Sequence, residues 1–204
     1  HIRQLGLVNS QYGSSLNMGY GQPTCYAPVS LFKTPNIDRM AREGMRFTDA
    51  HSSAANCTPT RYGFLTGRYP HRIGQFSVLS TFSPPLIPET RLTVASFLKQ
   101  NGYATACIGK WHLGMGWDFE VSGEFKPDGD RFNACPYPGN PEVTEDTRVL
   151  WEASFSKPTT GGPTTRGFDF YYGVDVPNWP PYCFIENDRT VGTPSEFLPP
   201  RLLG

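Results

Sequence analysis

The segment Cys57-Thr58-Pro59-Thr60-Arg61-Tyr62-Gly63-Phe64-Leu65-Thr66-Gly67 carries its own helix punctuation. Thr58 can cap a helix, Pro59 suits a first helical position and Gly67 supplies an end, so a short helix with Cys57 at its entrance is predicted. A helix start is electropositive: its orphan N–H groups and the helix dipole favour an anion by about 0.3 to 1 kcal/mol at an exposed site. Arg61, one turn further on, adds a planar donor fork suited to a tetrahedral oxyanion. Residues 50–88 contain Arg61, Arg68, Arg72, His51 and His71 and no carboxylate. The zone favours anions. On these residues alone, a cysteine beside solvated arginines stays open as the blander reading.

Working outward, residues 34–42 read as a helix, with Thr34 at the cap, Pro35 at the first position, Ile37, Met40 and Ala41 on one face and Gly44 past the end. Residues 45–50 then read as a strand. The order repeats with a helix over 92–101, striped by Leu92, Ala95 and Leu98, and a buried strand over 103–108. The pattern is that of an α/β fold. Phe64 and Leu65 are expected to pack the short helix down, leaving Cys57 and Arg61 facing out. If Lys110-Trp111-His112 continues extended, Lys110 and His112 share one face and Trp111 turns to the core. Both would then emerge beyond a strand's carboxyl end, where open α/β sheets place their ligands.

With 204 residues, 38% of them hydrophobic, the chain can bury one core. Its 18 basic and 18 acidic residues balance, which gives no reason to expect nucleic acid or a membrane surface as partner. The 21 glycines and 20 prolines predict many turns and long loops. Five cysteines (Cys25, Cys57, Cys107, Cys135 and Cys183) form no Cys-x-x-Cys pair and no zinc spacing with the four histidines. Two disulfides with one special thiol, or five reduced thiols, both stay open. No apolar run approaches the ~20 residues of a membrane span, and the amino terminus lacks a signal pattern. Residues 1–17 are an atypical polar segment with a short strand at 5–8, and residues 114–162 read as a loop-rich insertion. Its acids, Asp118, Glu120, Glu124, Asp128 and Asp130, lack the spacing of a calcium loop. Further strands are expected over 167–174 and 183–186, and the Pro-rich residues 193–204 are expected to be unstructured.

Cys57-x-Pro59-x-Arg61, followed by four residues and Thr66-Gly67, resembles the first signature of the sulfatase family. The run Gly102-Tyr103-Ala104-Thr105-Ala106-Cys107-Ile108-Gly109-Lys110-Trp111-His112-Leu113-Gly114 resembles its second. Thr34-Pro35-Asn36-Ile37-Asp38 upstream and Arg166-Gly167-Phe168-Asp169 downstream extend the likeness. The resemblance implies an alkaline-phosphatase-like α/β fold with an incomplete mixed sheet flanked by helices. Residues 1–204 would be a single partial catalytic domain, a fragment of a longer hydrolase of sulfate esters. It further implies that a formylglycine-generating enzyme oxidises Cys57 to formylglycine. One hydroxyl of the hydrated aldehyde then attacks sulfur, and the other expels sulfate by reforming the aldehyde.

Carried over by motif, Arg61 holds the modified residue and its metal side, Lys110 binds the sulfate, and His112 assists the diol or the leaving oxygen. The implied cofactor is Ca2+ or Mg2+, with residue 57 as formylglycine among its ligands. The implied substrate is a small sulfate ester or a sulfated carbohydrate, and the implied compartment is exported (periplasmic or secreted) or lysosomal. One departure matters. Sulfatases usually have two aspartates where this chain has Leu16 and Asn17; leucine cannot bind a hard cation, and Asn17 offers one neutral carbonyl oxygen. The metal site is therefore expected to be incomplete. Losing one preorganised charge-stabilising donor costs about 100- to 1000-fold in rate, so the isolated chain is expected not to turn over. The alternative is a non-catalytic, anion-binding homologue that has lost its metal site. A phosphoryl-transfer relative fits less well, because such enzymes use Ser or Thr as nucleophile.

Overall fold

A computed structural model of the chain describes residues 21–49, 51–118, 145–177 and 182–194. Two compact units result, His1–His51 and Ser52–Gly204. In the first, α1 (Pro35–Glu43) begins after Thr34 and stops at Gly44, as its punctuation predicts. Asp38 gathers the neighbouring loop: it accepts from the Cys25 N–H at 2.9 Å, the Thr34 hydroxyl at 3.2 Å and the Thr24 hydroxyl. These short-range bonds hold Asp38 below the ordinary carboxylate range, with the Thr24 bond the largest cause. The apolar stripe of α1 covers no core, since none of its residues is buried. The strand expected at 45–50 does not form: residues 45–49 are irregular and Ala50 lies outside the described residues. A strand needs a partner, and the Phe47 carbonyl instead accepts from the Tyr26 hydroxyl at 2.9 Å.

In the second unit, α2 (Cys57–Thr66) ends at Gly67, whose left-handed backbone (φ 64°) lets its N–H close on the Gly63 carbonyl. Tyr62 and Leu65 bury this helix, whereas Phe64, expected to do so, is exposed. The next helix, α3 (Val94–Gln100), starts two residues later than its stripe suggests. Thr93 and Ser96 form a reciprocal capping box there, and Leu92 stays outside it, exposed. Thr93 also donates to the Arg166 carbonyl at 2.6 Å.

Among the described residues, four strands form one mixed sheet in the order β1-β2-β3-β4: β1 (Ala106–Lys110), β2 (Phe170–Val174), β3 (Ile185–Glu186) and β4 (Arg189–Thr190). β1 and β2 are parallel, and the other pairs are antiparallel. Gly109 and Gly173 face each other in the parallel register, and a Cβ on Gly173 would collide with the Gly109 carbonyl oxygen. β1 begins three residues later than expected and is not buried throughout, because Ile108 is 70% exposed while Lys110 is covered. Tyr62, Leu65, Ile87, Trp111, Leu113, Met115, Tyr171 and Ile185 form the core between α2 and the sheet. Full burial of such side chains stabilises by roughly 1.5 to 3 kcal/mol each.

The insertion expected at 114–162 is structured at both ends. Met115 is fully buried, Gly116 bridges Thr160, and α4 (Glu145–Phe155) brings Trp151 and Phe155 against Phe82 in a second cluster. Asp118, one of its acids, pairs with Lys157 at 3.1 Å. The remaining acids of that series and the strand expected at 5–8 lie outside the described residues. Cys25, Cys57, Cys107 and Cys183 are free thiols. Among the described residues no helix is long and apolar enough to cross a membrane.

Candidate functional site

Cys57 is the first residue of α2. The cap position falls to Asn56 rather than Thr58, without a side-chain capping bond, and Thr58 and Pro59 are buried within the helix. Thr58 has a different task. Its hydroxyl donates to the His112 carbonyl at 2.9 Å and accepts from the Leu79 N–H at 3.1 Å. One turn later, Arg61 donates through Nη1 to the Lys110 carbonyl at 2.6 Å. The amino-terminal half of α2 is thus clipped twice at the carboxyl end of β1.

This clip brings the Lys110 ammonium 3.5 Å from the Cys57 sulfur. Lys110 is only 8% exposed, and this burial lowers its pKa, with the Cys57 sulfur acting in the opposite direction. Cys57 and Arg61 are half-buried. Two cations partly withdrawn from water, Lys110 and Arg61, therefore stand at one helix start, where an anion gains more than it would in bulk water.

His112 arrives by a route that simple alternation does not anticipate. β1 ends at Lys110, and His112 adopts a left-handed backbone, φ 53°, instead of continuing extended. Backbone bonds to the end of β2 impose the turn: Trp111 N–H donates to the Val174 carbonyl at 2.9 Å, and His112 N–H to the Asp175 carbonyl at 3.0 Å. The imidazole is buried, and Nε2 lies 2.7 Å from the Leu79 carbonyl. A carbonyl only accepts, so Nε2 carries the hydrogen and Nδ1 is the basic nitrogen. Burial lowers the pKa of His112 to about 4, which keeps the ring neutral at pH 7. Trp111 is in the core, as expected, with Nε1 donating to the Gly114 carbonyl at 3.0 Å.

The fold built around these residues has its counterpart among known proteins. The sulfatase family model matches residues 18–182. This chain belongs to the sulfatase family. It is 42% identical to an N-acetylgalactosamine-6-O-sulfatase of Bacteroides thetaiotaomicron over 49% of its own length and 19% of that protein. Human steryl-sulfatase is 45% identical over 48% of the chain, and human arylsulfatase A 42% identical over 59%. A solved structure titled for the metabolism of multiple glycosaminoglycans by Bacteroides thetaiotaomicron superposes with a TM-score of 0.60 at 32% identity. That match covers 90% of this chain and 30% of the other. The sulfatase chain spans 18% to 24% of these three curated relatives. Its α/β architecture is that of the alkaline-phosphatase-like fold.

Sequence patterns missed one residue of this candidate site, Asp175. It follows β2 directly, at the carboxyl end of the strand lying parallel to β1, and its Oδ1 accepts from the His112 N–H at 3.1 Å. Burial raises its pKa to about 7, against the lesser influence of His112, Lys110 and Arg61. An acid immediately after an aromatic strand candidate was the available signal, and the parallel pairing that gives it meaning appears only in the fold. A divalent cation does not fit the described residues. Among them no three His, Cys, Asp or Glu side chains converge on one point, and an ammonium occupies the neighbourhood of the Cys57 sulfur. Hard cations need several oxygen ligands. Asn17, the expected ligand, lies outside the described residues.

Proposed function

We propose that this chain supplies the nucleophile and sulfate cradle of a hydrolase of sulfate esters, acting through a formylglycine derived from Cys57. The observation that carries the proposal is the Lys110 ammonium at 3.5 Å from the Cys57 sulfur, at the start of a helix. Formylglycine at position 57 supplies, when hydrated, an oxygen nucleophile toward sulfur. Lys110 binds the oxygens of the sulfo group, and its fixed ammonium needs little reorganisation as charge shifts between them. Arg61 holds the Lys110 backbone and adds positive potential to the same helix start. His112, neutral and with Nδ1 basic, is the group that assists the hydroxyl or the leaving oxygen. The substrate is a small sulfate ester or a sulfated carbohydrate, and the formylglycine-generating enzyme is the partner that acts on Cys57.

Leu16, where the family has an aspartate, supports a second reading, an anion-binding homologue without turnover. Co-expression with the formylglycine-generating enzyme, followed by intact-mass analysis and a hydrazide probe for the aldehyde, separates the two. The hydrolase reading expects conversion of the Cys57 thiol. It also expects Lys110→Ala to weaken inorganic sulfate binding by about 10- to 100-fold, the range of a charge-assisted hydrogen bond. A thiol that persists while sulfate still binds overturns the hydrolase in favour of the anion binder.

A further inference from the structure

The hydrolase reading uses residue 57 as formylglycine, but the chain itself carries a free thiol there, with an amine beside it. The Cys57 sulfur and the Lys110 nitrogen lie 3.5 Å apart although 53 positions separate them in sequence. Atoms held about 3 to 3.5 Å apart are poised to react if the approach is aligned. Two further bonds keep the pair together. Thr58, next to Cys57, donates to the His112 carbonyl at 2.9 Å, and Arg61 donates to the Lys110 carbonyl at 2.6 Å. Lys110 is 8% exposed, so little water competes with it for the sulfur, whereas half-buried Cys57 stays open to a small oxidant. Two other thiols are poor rivals: burial pushes Cys107 up to about 11 and Cys183 up to about 12, and thiols react as thiolates.

We propose that, where Cys57 remains a thiol, a hydroperoxide joins it to Lys110 through a reversible sulfur–nitrogen bond, a sulfenamide. In the first step the sulfur attacks the peroxide and the O–O bond breaks. Cys57 becomes a sulfenic acid, oxidised by two electrons, and with hydrogen peroxide the other oxygen leaves as water. In the second step the lone pair of the Lys110 amine forms the S–N bond, the S–O bond breaks, and the hydroxyl leaves with a proton from the nitrogen as a second water. Sulfenic acids condense with thiols or with a backbone nitrogen, and an amine is a better nucleophile than a backbone amide. The amine attacks in its neutral form, and burial works against the charged one. The bridge occupies both the thiol that a formylglycine-generating enzyme oxidises and the cation that meets sulfate. A bridged chain is therefore withheld from both until a thiol reductant cleaves it. This needs only the unconverted thiol and stands whether or not the hydrolase reading does.

The test treats the full chain, expressed without the modifying enzyme, with hydrogen peroxide, with and without the sulfenic-acid trap dimedone, and maps it by tryptic mass spectrometry. The native chain is expected to become lighter by two hydrogen atoms and to regain them on reduction with dithiothreitol. The peptide ending at Arg61 should be joined to one that runs uncut through Lys110, since trypsin does not cut after a modified lysine. Lys110→Arg keeps the charge without the amine, and is expected to raise dimedone labelling of Cys57 about tenfold or more over wild type. Unfolding in urea before oxidation should lower the yield of joined peptide by a similar factor, a comparison that holds even if Lys110→Arg does not fold. The inference is overturned if no joined peptide forms, if the joined peptide is still cut after Lys110, which marks a Cys57–Cys107 disulfide, or if native and unfolded chains join equally. Conversion of Cys57 by the modifying enzyme in a parallel culture bears on the hydrolase reading alone.

Discussion

Two helices of this molecule share their punctuation and differ in everything that punctuation cannot specify. α1 begins with Pro35 and stops at Gly44, and α2 carries Pro59 in its first turn and stops at Gly67. α1 has the cleaner apolar stripe and buries nothing, whereas α2 buries Thr58, Pro59, Tyr62 and Leu65. Those four positions, spaced i, i+1, i+4 and i+7, make a helical stripe of mixed polarity. A hydrophobicity pattern overlooks it because its first member is a threonine. What seats α2 is a combination of two packed side chains with polar clips from Thr58 and Arg61 to the end of β1. Local propensity starts and stops a helix, and long-range bonds decide which face it buries.

The strongest way to break this contrast is to remove the packing of α2. Tyr62 is 1% exposed and belongs to the main core, so Tyr62→Ala is expected to cost about 3 to 5 kcal/mol, as large-to-small aromatic changes do. Urea unfolding monitored by tryptophan fluorescence measures it; a loss below about 1 kcal/mol would mean that α2 is seated by its polar clips alone.

The next test concerns the strand ends to which α2 is clipped. The Asp175 carboxyl titrates at about 7 instead of 3.8, so between those values the folded chain keeps a proton that the unfolded chain releases. Its contribution is full below about pH 4 and is lost as pH rises through about 7, roughly 4 kcal/mol in all. His112 has the opposite sign: with a pKa of about 4 instead of 6.5, it removes stability as pH falls through that interval. The two slopes oppose each other in the overlap. Asp175→Asn is expected to remove only the first, so its stability relative to wild type should rise between pH 5 and pH 8 in thermal melts. A pH-independent difference would mean that Asp175 is ionised throughout.

Thr58→Val sharpens the comparison further, because it keeps the shape of α2 and removes a clip. It leaves the Leu79 N–H without its acceptor and the His112 carbonyl without its donor, for an expected loss of about 1 to 3 kcal/mol. The same variant should loosen the Cys57–Lys110 approach, read as a changed rate of Cys57 alkylation. Unchanged stability and alkylation together would remove the clip from the account of the site.

How far the sequence reaches follows the same division. Both ends of α1, the stop of α2 at Gly67, Trp111 in the core and the approach of Lys110 to Cys57 were legible, since each depends on glycine, proline, strand-end position or a motif; the start of α2 was not, because Asn56 rather than Thr58 precedes the helix. The strand at 45–50 was not, because a strand exists only through a partner that local alternation does not reveal. His112 was placed by alternation on the face of Lys110. Its left-handed backbone comes from the bonds of 111 and 112 to 174 and 175, more than sixty positions away. α4 was hidden by averaging, an 11-residue helix inside a Gly-, Pro- and acid-rich region. Asp175 was missed because its meaning lies in the neighbouring parallel strand, which a single sequence does not display.

The smallest expected effect completes the comparison on the α1 side. Met40 is 53% exposed and no residue of its helix is buried, so Met40→Ala removes little apolar contact and replaces methionine with the best helix former. The Arg39–Glu43 pair on the same helix is 4.0 Å long and exposed on both sides, a geometry that contributes little. Met40→Ala is therefore expected to leave the unfolding midpoint within about 0.5 kcal/mol of wild type, against several kcal/mol for Tyr62→Ala. A loss above about 1 kcal/mol at Met40 would show that α1 has an apolar partner in solution, and the contrast between the helices would then rest on the clips of α2 alone.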